Sequence, residues 1–245
     1  MQYHSSVDSY ALQMMPVAES WQVSRLLAVG LLVLLVWAVY SVFTSSSFYV
    51  SGAEVRGNMA ITADEVYAAS GLDGMSIFWV DTEDAMSRIE ALPNIKSARV
   101  SAMLPANVTI TVEERMPRLV WQAGDTMWWI DPEGTVLAPR GVLEGAITIK
   151  DLDAKPLMPG DELSPTVLAS IRALNNLLPR LTEMHYSHDQ GIGFKTQEGW
   201  PVFLGDERDM QTKLTMLLEL RKSLLEQGIT PNFIDVRFPQ GSFYK

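Results

Sequence analysis

Residues 95–113 read Ile95-Lys96-Ser97-Ala98-Arg99-Val100-Ser101-Ala102-Met103, then Leu104-Pro105-Ala106-Asn107, then Val108-Thr109-Ile110-Thr111-Val112-Glu113. The last six alternate between apolar and polar, the period of a strand with one buried face. Leu-Pro-Ala-Asn is turn chemistry, so the stretch predicts two consecutive strands. Upstream, Ala85, Met86, Ile89 and Leu92 recur at helical spacing, with Asp81 and Asp84 opening that helix and Pro93 stopping it. Further out, Thr62 stands three residues before Glu65, a capping box for a shorter helix ending near Gly71. Phe48 to Asn58 is rich in β-formers, closes on Gly57-Asn58 and reads as a first strand. Strand, helix, helix, strand, strand within about 70 residues predicts a small sheet with both helices on one face.

N-terminal to this module lies Leu26 to Phe43, LLAVGLLVLLVWAVYSVF, without charge or proline. At about 1.5 Å per residue it makes roughly 27 Å of helix, just enough for a bilayer core. Trp21 precedes it, and Trp37 and Tyr40 occupy its last turns, where amphipathic rings favour the headgroup level. A core helix would show a polar stripe, and a signal peptide a shorter apolar region after a basic start. A retained span is the better reading. Charge does not orient it, because Arg25 on one side is balanced by Arg56 on the other. The polar residues before it read as a short tail.

The chain has 245 residues, 47% of them hydrophobic, and no cysteine. A chain without thiols suits either redox compartment. The formal net charge of −10 argues against a nucleic-acid partner, which requires basic surface, and against anionic lipid outside the span.

Beyond Arg118 the character turns to β. Leu119 to Gln122 and Met127 to Ile130 flank a turn, Asp131-Pro132-Glu133-Gly134 makes another, and Thr135-Val136-Leu137 follows. Trp121, Trp128 and Trp129 could form a stacking platform, but a hydrophobic core or domain junction explains them better. Ser164-Pro165 opens a helix to about Leu178, and three strands follow, at Met184–Ser187, Gly193–Thr196 and Pro201–Gly205. Met210 to Glu226 reads as amphipathic, with Leu214, Leu217, Leu218, Leu220, Leu224 and Leu225 inward and Lys213, Glu219, Arg221 and Lys222 outward. Phe233 to Phe238 reads as a strand, which Ser242-Phe243-Tyr244 continues after a Pro-Gln-Gly break.

Several pieces, in order behind a span, carry a resemblance. Val55-Arg56-Gly57-Asn58, Leu92-Pro93-Asn94-Ile95, Ala98-Arg99-Val100, Leu104-Pro105 and Val112-Glu113-Glu114-Arg115-Met116-Pro117 resemble the POTRA domain of the FtsQ/DivIB family of bacterial cell-division proteins. Gly199 to Gly205 (GWPVFLG), the helix at Lys213-Leu214, and Ile234-Asp235-Val236-Arg237 resemble the family's second domain. The chain departs from the family in lacking a basic tail and a basic residue near Ser101, and in having Ala146-Ile147 where Leu-Pro is frequent.

The resemblance implies an α+β fold: a tail at 1–24, a transmembrane helix at 25–43, a POTRA domain (β-α-α-β-β) at 44–117, and a β domain at 118–245 with an antiparallel sheet and flanking helices. It implies a single-pass type II protein of the inner membrane at the division septum, with the N-terminus cytoplasmic and the bilayer held by residues 26–43. It implies a non-enzymatic scaffold without cofactor, whose partners are FtsB and FtsL, through them FtsW and FtsI of septal peptidoglycan synthesis, and FtsK at the POTRA domain. An open sheet edge offers unpaired N–H and C=O groups to a partner strand. The final segment after Arg237 is the expected edge, corresponding to where the family meets FtsB, and the positions there are Arg237, Phe238, Gln240, Gly241, Ser242, Phe243 and Tyr244. Phe238, Phe243 and Tyr244 would be aromatic anchors and Arg237 a charged one.

The remaining candidate chemistry is thin. His185 and His188 are three apart, near Glu183, Tyr186 and Asp189, but in a strand-and-turn segment that spacing reads as a surface pair rather than a zinc site. Asp206 and Glu207 could imitate an acid/base pair but read as a solvated edge or as charges opening the next helix. Glu114 and Arg115 read as a surface or inter-strand ion pair. No Gly-x-Ser-x-Gly elbow or phosphate-binding glycine loop occurs. A translocase-type POTRA protein would need a barrel for which the chain is too short. The alternatives left are a membrane-anchored extracytoplasmic hydrolase and a secreted binding module.

Overall fold

A computed structural model describes residues 18–238 and 243–244. Helix α1, Ala18–Thr44, contains the one segment among the described residues apolar and long enough to cross a membrane, Val23–Thr44, with mean hydropathy 2.6 and none of it buried in protein. An apolar surface on every side of a helix that touches the folded part of the chain only at its last turn is what lipid would cover.

The chain leaves α1 through a short 3₁₀ turn, Ser46–Phe48. The strand expected over 48–58 is cut to β1, Glu54–Arg56. The earlier part finds a different partner: Tyr49 bridges Ser76, and Val50 exchanges backbone hydrogen bonds with Met75 (2.8 Å) and Gly74 (2.9 Å). Helix α2, Ala63–Ser70, starts where Thr62 Oγ1 accepts from the Glu65 N–H at 3.2 Å. The Glu65 carboxylate does not reach back as a capping box would; it pairs with Arg140 at 2.6 Å. Asp81 Oδ1 caps α3, Thr82–Glu90, by accepting from Glu83 and Asp84 N–H groups.

Strands β2, Ile95–Met103, and β3, Asn107–Glu114, form the antiparallel hairpin read from the sequence. The sheet order is β1-β3-β2, with β1 parallel to β3. Val108, Ile110 and Val112 of β3 are buried with Val66, Ile89 and Ile95 beneath α2 and α3. Gly57 holds a positive φ of +84° at the end of β1, where any Cβ would run into the Val112 carbonyl.

The second module holds β4 (Leu119–Ala123), β5 (Thr126–Ile130), β6 (Val136–Leu137), β7 (Ile147–Asp151), α4 (Pro165–Leu177), β8 (Glu183–Ser187), β9 (Gly191–Lys195), β10 (Pro201–Gly205), α5 (Met210–Gln227), β11 (Ile234–Asp235) and β12 (Phe243–Tyr244). They make a nine-stranded sheet in the order β12-β11-β10-β9-β8-β7-β4-β5-β6. The sheet is mixed rather than antiparallel: β4/β7, β7/β8 and β10/β11 run parallel. The helices are the reason for the last two of these pairs. Helix α4 carries the chain from β7 to β8 and α5 from β10 to β11, and a helical crossover returns the chain in the same direction.

Trp121 is buried, opposite Trp128 in the β4/β5 ladder and 5.5 Å from the Tyr186 ring. The core reading of the tryptophans therefore holds at Trp121. In α5 the apolar stripe is rotated from expectation. Met210, Lys213, Leu217 and Leu224 are buried, whereas Leu218 and Leu225 are exposed. Each exposed leucine follows a buried one, and one residue is about 100° around a helix.

The two modules meet through charged side chains. Glu114 and Arg115 do not pair with each other. Glu114 accepts the N–H groups of Met59 (2.6 Å), Ala60 (2.9 Å) and Ile61 (3.0 Å), closing the loop before α2. Partial burial opposes its charge, but these bonds hold its pKa below the usual carboxylate value. Arg115 reaches across to Asp131 and Glu133, both at 2.8 Å, while Asn94 Nδ2 donates to the Ala138 carbonyl. Successive side chains of a strand point to opposite faces, so neighbours in sequence serve different partners.

Candidate partner-binding edge

Strand β12 ends the nine-stranded order, antiparallel to β11, with Ile234 opposite Tyr244 and Asp235 opposite Phe243. In such a ladder alternate residues of the outer strand direct their N–H and C=O groups away from the sheet. Of the seven residues expected at this edge, Phe243 and Tyr244 form β12, and Arg237 and Phe238 follow β11. Gln240, Gly241 and Ser242 lie outside the described residues. The strand expected over 233–238 is confined to Ile234–Asp235, because the chain bends at Arg237.

That bend is built by Asp235, which is buried and accepts from the Arg237 backbone N–H at 3.0 Å. Its carboxylate also takes Nε and the terminal nitrogen of Arg237, at 3.0 and 2.6 Å. Arg237 donates in addition to the Asp189 carbonyl at 2.9 Å, and its guanidinium lies 5.6 Å from the Phe238 ring centre. The hydrogen bond to Asp235 raises the guanidinium pKa, with burial opposing. Arg237 is thus engaged within the chain, and Phe238, 64% exposed, is the free aromatic surface beside it.

A cleft of about 660 Å³ opens next to these residues, lined among others by Ser170, His188, Asp206, Lys213, Arg237 and Phe238. Lys213, expected to face solvent, is buried; its Nζ bonds the Asp206 carbonyl oxygen at 3.0 Å and Oδ1 at 3.3 Å. Asp206 also pairs with Arg208, and that bond, then Lys213, holds its carboxyl below the ordinary value against partial burial. Glu207 accepts from Ser170 Oγ at 3.3 Å. Asp206 is thus a half-buried structural member of the α5 entrance, while Glu207 is exposed beside it.

The histidines are not a surface pair. His185 is buried in β8, edge-on to Phe203, with Nε2 lacking a hydrogen-bond partner. The sequence hides this because the space comes from another strand: Gly193 of β9 lies opposite, and a Cβ there would meet the His185 ring and the Val202 carbonyl. Burial, then the Lys195 charge, lowers the His185 pKa from 6.5 to about 4. No cluster of three metal-ligating residues occurs among the described residues. The unfolded chain then binds this proton before the folded one does, so stability present above pH 6.5 is lost as pH falls towards 4. Between about pH 7 and pH 5 the wild type should lose about 2 kcal/mol more than His185→Gln, measured by urea unfolding. Equal losses would remove His185 as the cause.

Residues 49–115 match the model of the POTRA domain of FtsQ type, and residues 119–237 that of the cell division protein FtsQ/DivIB C-terminal domain. The cell division protein FtsQ of Chloroflexus aurantiacus is 29% identical over 216 residues, covering 85% of this chain and 78% of that one. The FtsQ of Syntrophotalea carbinolica is 30% identical over 228 residues, covering 88% and 80%. With both modules matched in order and the similarity running through most of its length, this chain belongs to the FtsQ/DivIB family of cell division proteins.

Proposed function

We propose that the chain is a non-enzymatic scaffold of the division septum that receives the FtsB–FtsL pair by strand addition on β12, and through it helps control septal synthesis by FtsW and FtsI. The observation that carries this reading is the position of β12 as the outermost strand of the sheet. A strand added there gains main-chain hydrogen bonds, and Phe238 and the adjoining cleft supply side-chain selectivity. Arg237 would take part through its unengaged donors while Asp235 keeps it oriented. In this reading residues 1–24 are cytoplasmic, 25–43 cross the inner membrane, and the POTRA domain (44–117) and β domain (118–245) work outside it, with FtsK contacted at the former. A hydrolase reading finds less support: His185 is in the core, and Asp206 and Glu207 are engaged by Lys213, Arg208 and Ser170.

The test is a pull-down of residues 44–245 with soluble FtsB–FtsL ectodomains of the same organism, with and without residues 238–245. Binding should disappear on truncation while circular dichroism stays unchanged. Binding that survives truncation would move the interface elsewhere, and no binding by the longer chain would remove FtsB–FtsL as the partner.

A further inference from the structure

We propose that the Ile77–Trp79 turn is a foot by which the POTRA domain rests in the headgroup layer of the membrane that α1 enters. The proposal depends on α1 being a membrane span. The segment after α1 folds back onto this turn within a few residues. Tyr49 Oη donates to the Phe43 carbonyl at 3.3 Å, Tyr49 bridges Ser76, and Val50 is hydrogen-bonded to Met75 and Gly74. The Phe78 ring lies 5.1 Å from that of Phe43 and 5.3 Å from that of Phe48.

These contacts set a height. Phe43 closes the apolar run, which gives way to Thr44-Ser45-Ser46-Ser47, so it marks the end of the hydrocarbon core, beyond which lie roughly 5–7 Å of interface. A ring in contact with Phe43 falls within that layer, and Trp79 is its neighbour in sequence. The three residues of the turn divide their roles. Ile77 is buried in the POTRA core, Phe78 faces the helix end, and Trp79 is 73% exposed. Tryptophan favours the headgroup level because its ring is apolar and its N–H seeks a polar partner. The acidic residues on either side in sequence, Asp73, Asp81, Glu83 and Asp84, argue against an attraction to anionic lipid. The surface therefore fits the uncharged, carbonyl-rich boundary of a bilayer.

The absence of cysteine from the chain makes this directly measurable. Single cysteines at position 79, at the exposed Val142 (87%) and at the mid-span Leu34 would carry a fluorophore in the full chain, reconstituted in phosphatidylcholine nanodiscs. Because Trp79 and Val142 are exposed, Trp79→Cys and Val142→Cys leave the core untouched. Headgroup-labelled quenching lipids should quench position 79 several-fold more than position 142, and acyl-chain quenchers should act best at position 34. Position 79 quenched no more than position 142, with position 34 in lipid, would overturn the foot alone. Water exposure at position 34 as well would overturn the span and the foot together. A label at 79 that becomes protected only when a partner protein is added would assign the turn to that protein instead.

Discussion

Asp206→Ala is expected to destabilise the β domain by about 3 kcal/mol, lowering Tm by roughly 10 °C in thermal unfolding of residues 44–245. The cost comes from the partner left behind. Lys213 has a side chain only 3% exposed, and Asp206 supplies both its nearby carboxylate and a carbonyl acceptor. Alanine keeps the carbonyl, so the loss falls at the lower end of the range for breaking a buried pair. A second substitution shows whether the charge is the cause. Asp206→Ala with Lys213→Leu removes both ions and should recover most of the loss, since apolar replacement of a buried pair is often neutral. If the double variant is no more stable than Asp206→Ala alone, the carboxylate matters for the turn into α5 and not for Lys213. The pair also predicts acid sensitivity. Asp206 has a depressed pKa, so its stabilisation is present above the ordinary carboxylate value and fades as pH falls through the folded one.

Lys213 also shows where pattern reading of a helix stops. The apolar residues of α5 identify it as amphipathic, and its span, Met210–Gln227, differs little from that reading. Its rotation does not follow, because lysine was assigned outward by polarity alone. The information that turns it inward is the Asp206 carboxylate and carbonyl, supplied by the loop from β10. The POTRA module was more legible: caps at Thr62 and Asp81, the stop at Pro93 and the alternation of β3 are local signals, and each element stands close to where they place it. Strand β7 was not anticipated. Ile147 and Ile149 do alternate with Thr148 and Lys150, but the run is short and its parallel neighbours, β4 and β8, are distant in sequence. Without it the hairpins of 119–137 have no connection to the rest of the sheet, and two of its three parallel pairs go unseen. At the candidate edge, the chain direction towards β12 was legible and the internal use of Arg237 was not. The Asp235–Arg237 bond closes over the bend that follows β11, which a strand read through to Phe238 does not contain.

Asp131→Ala is expected to cost about 3 kcal/mol, as removal of one partner of a buried ion pair does, and to loosen the POTRA domain from the β domain. Asp131 is 3% exposed and does two jobs with one carboxylate. Oδ1 accepts the N–H groups of Glu133 (2.9 Å) and Thr135 (2.8 Å), shaping the turn between β5 and β6, while Oδ2 takes Arg115 at 2.8 Å. Arg115 is itself fixed to the POTRA side, since its backbone N–H donates to the Asn94 carbonyl. The two jobs separate by chemistry. Asn keeps an oxygen for the turn but loses the charge for Arg115, so Asp131→Asn should cost less than half as much as Asp131→Ala in overall stability. Both variants should decouple the domains equally, visible as two melting transitions or as new proteolytic cleavage near Met116-Pro117-Arg118. The pairs Arg115–Glu133, Lys96–Glu133 and Arg140–Glu65 remain in either variant, and pairs with so exposed a partner hold little on their own. A single unchanged transition in Asp131→Asn would mean that the remaining pairs, Arg115–Glu133 among them, and the Asn94–Ala138 bond suffice to join the domains, and that Asp131 is dispensable as the partner of Arg115.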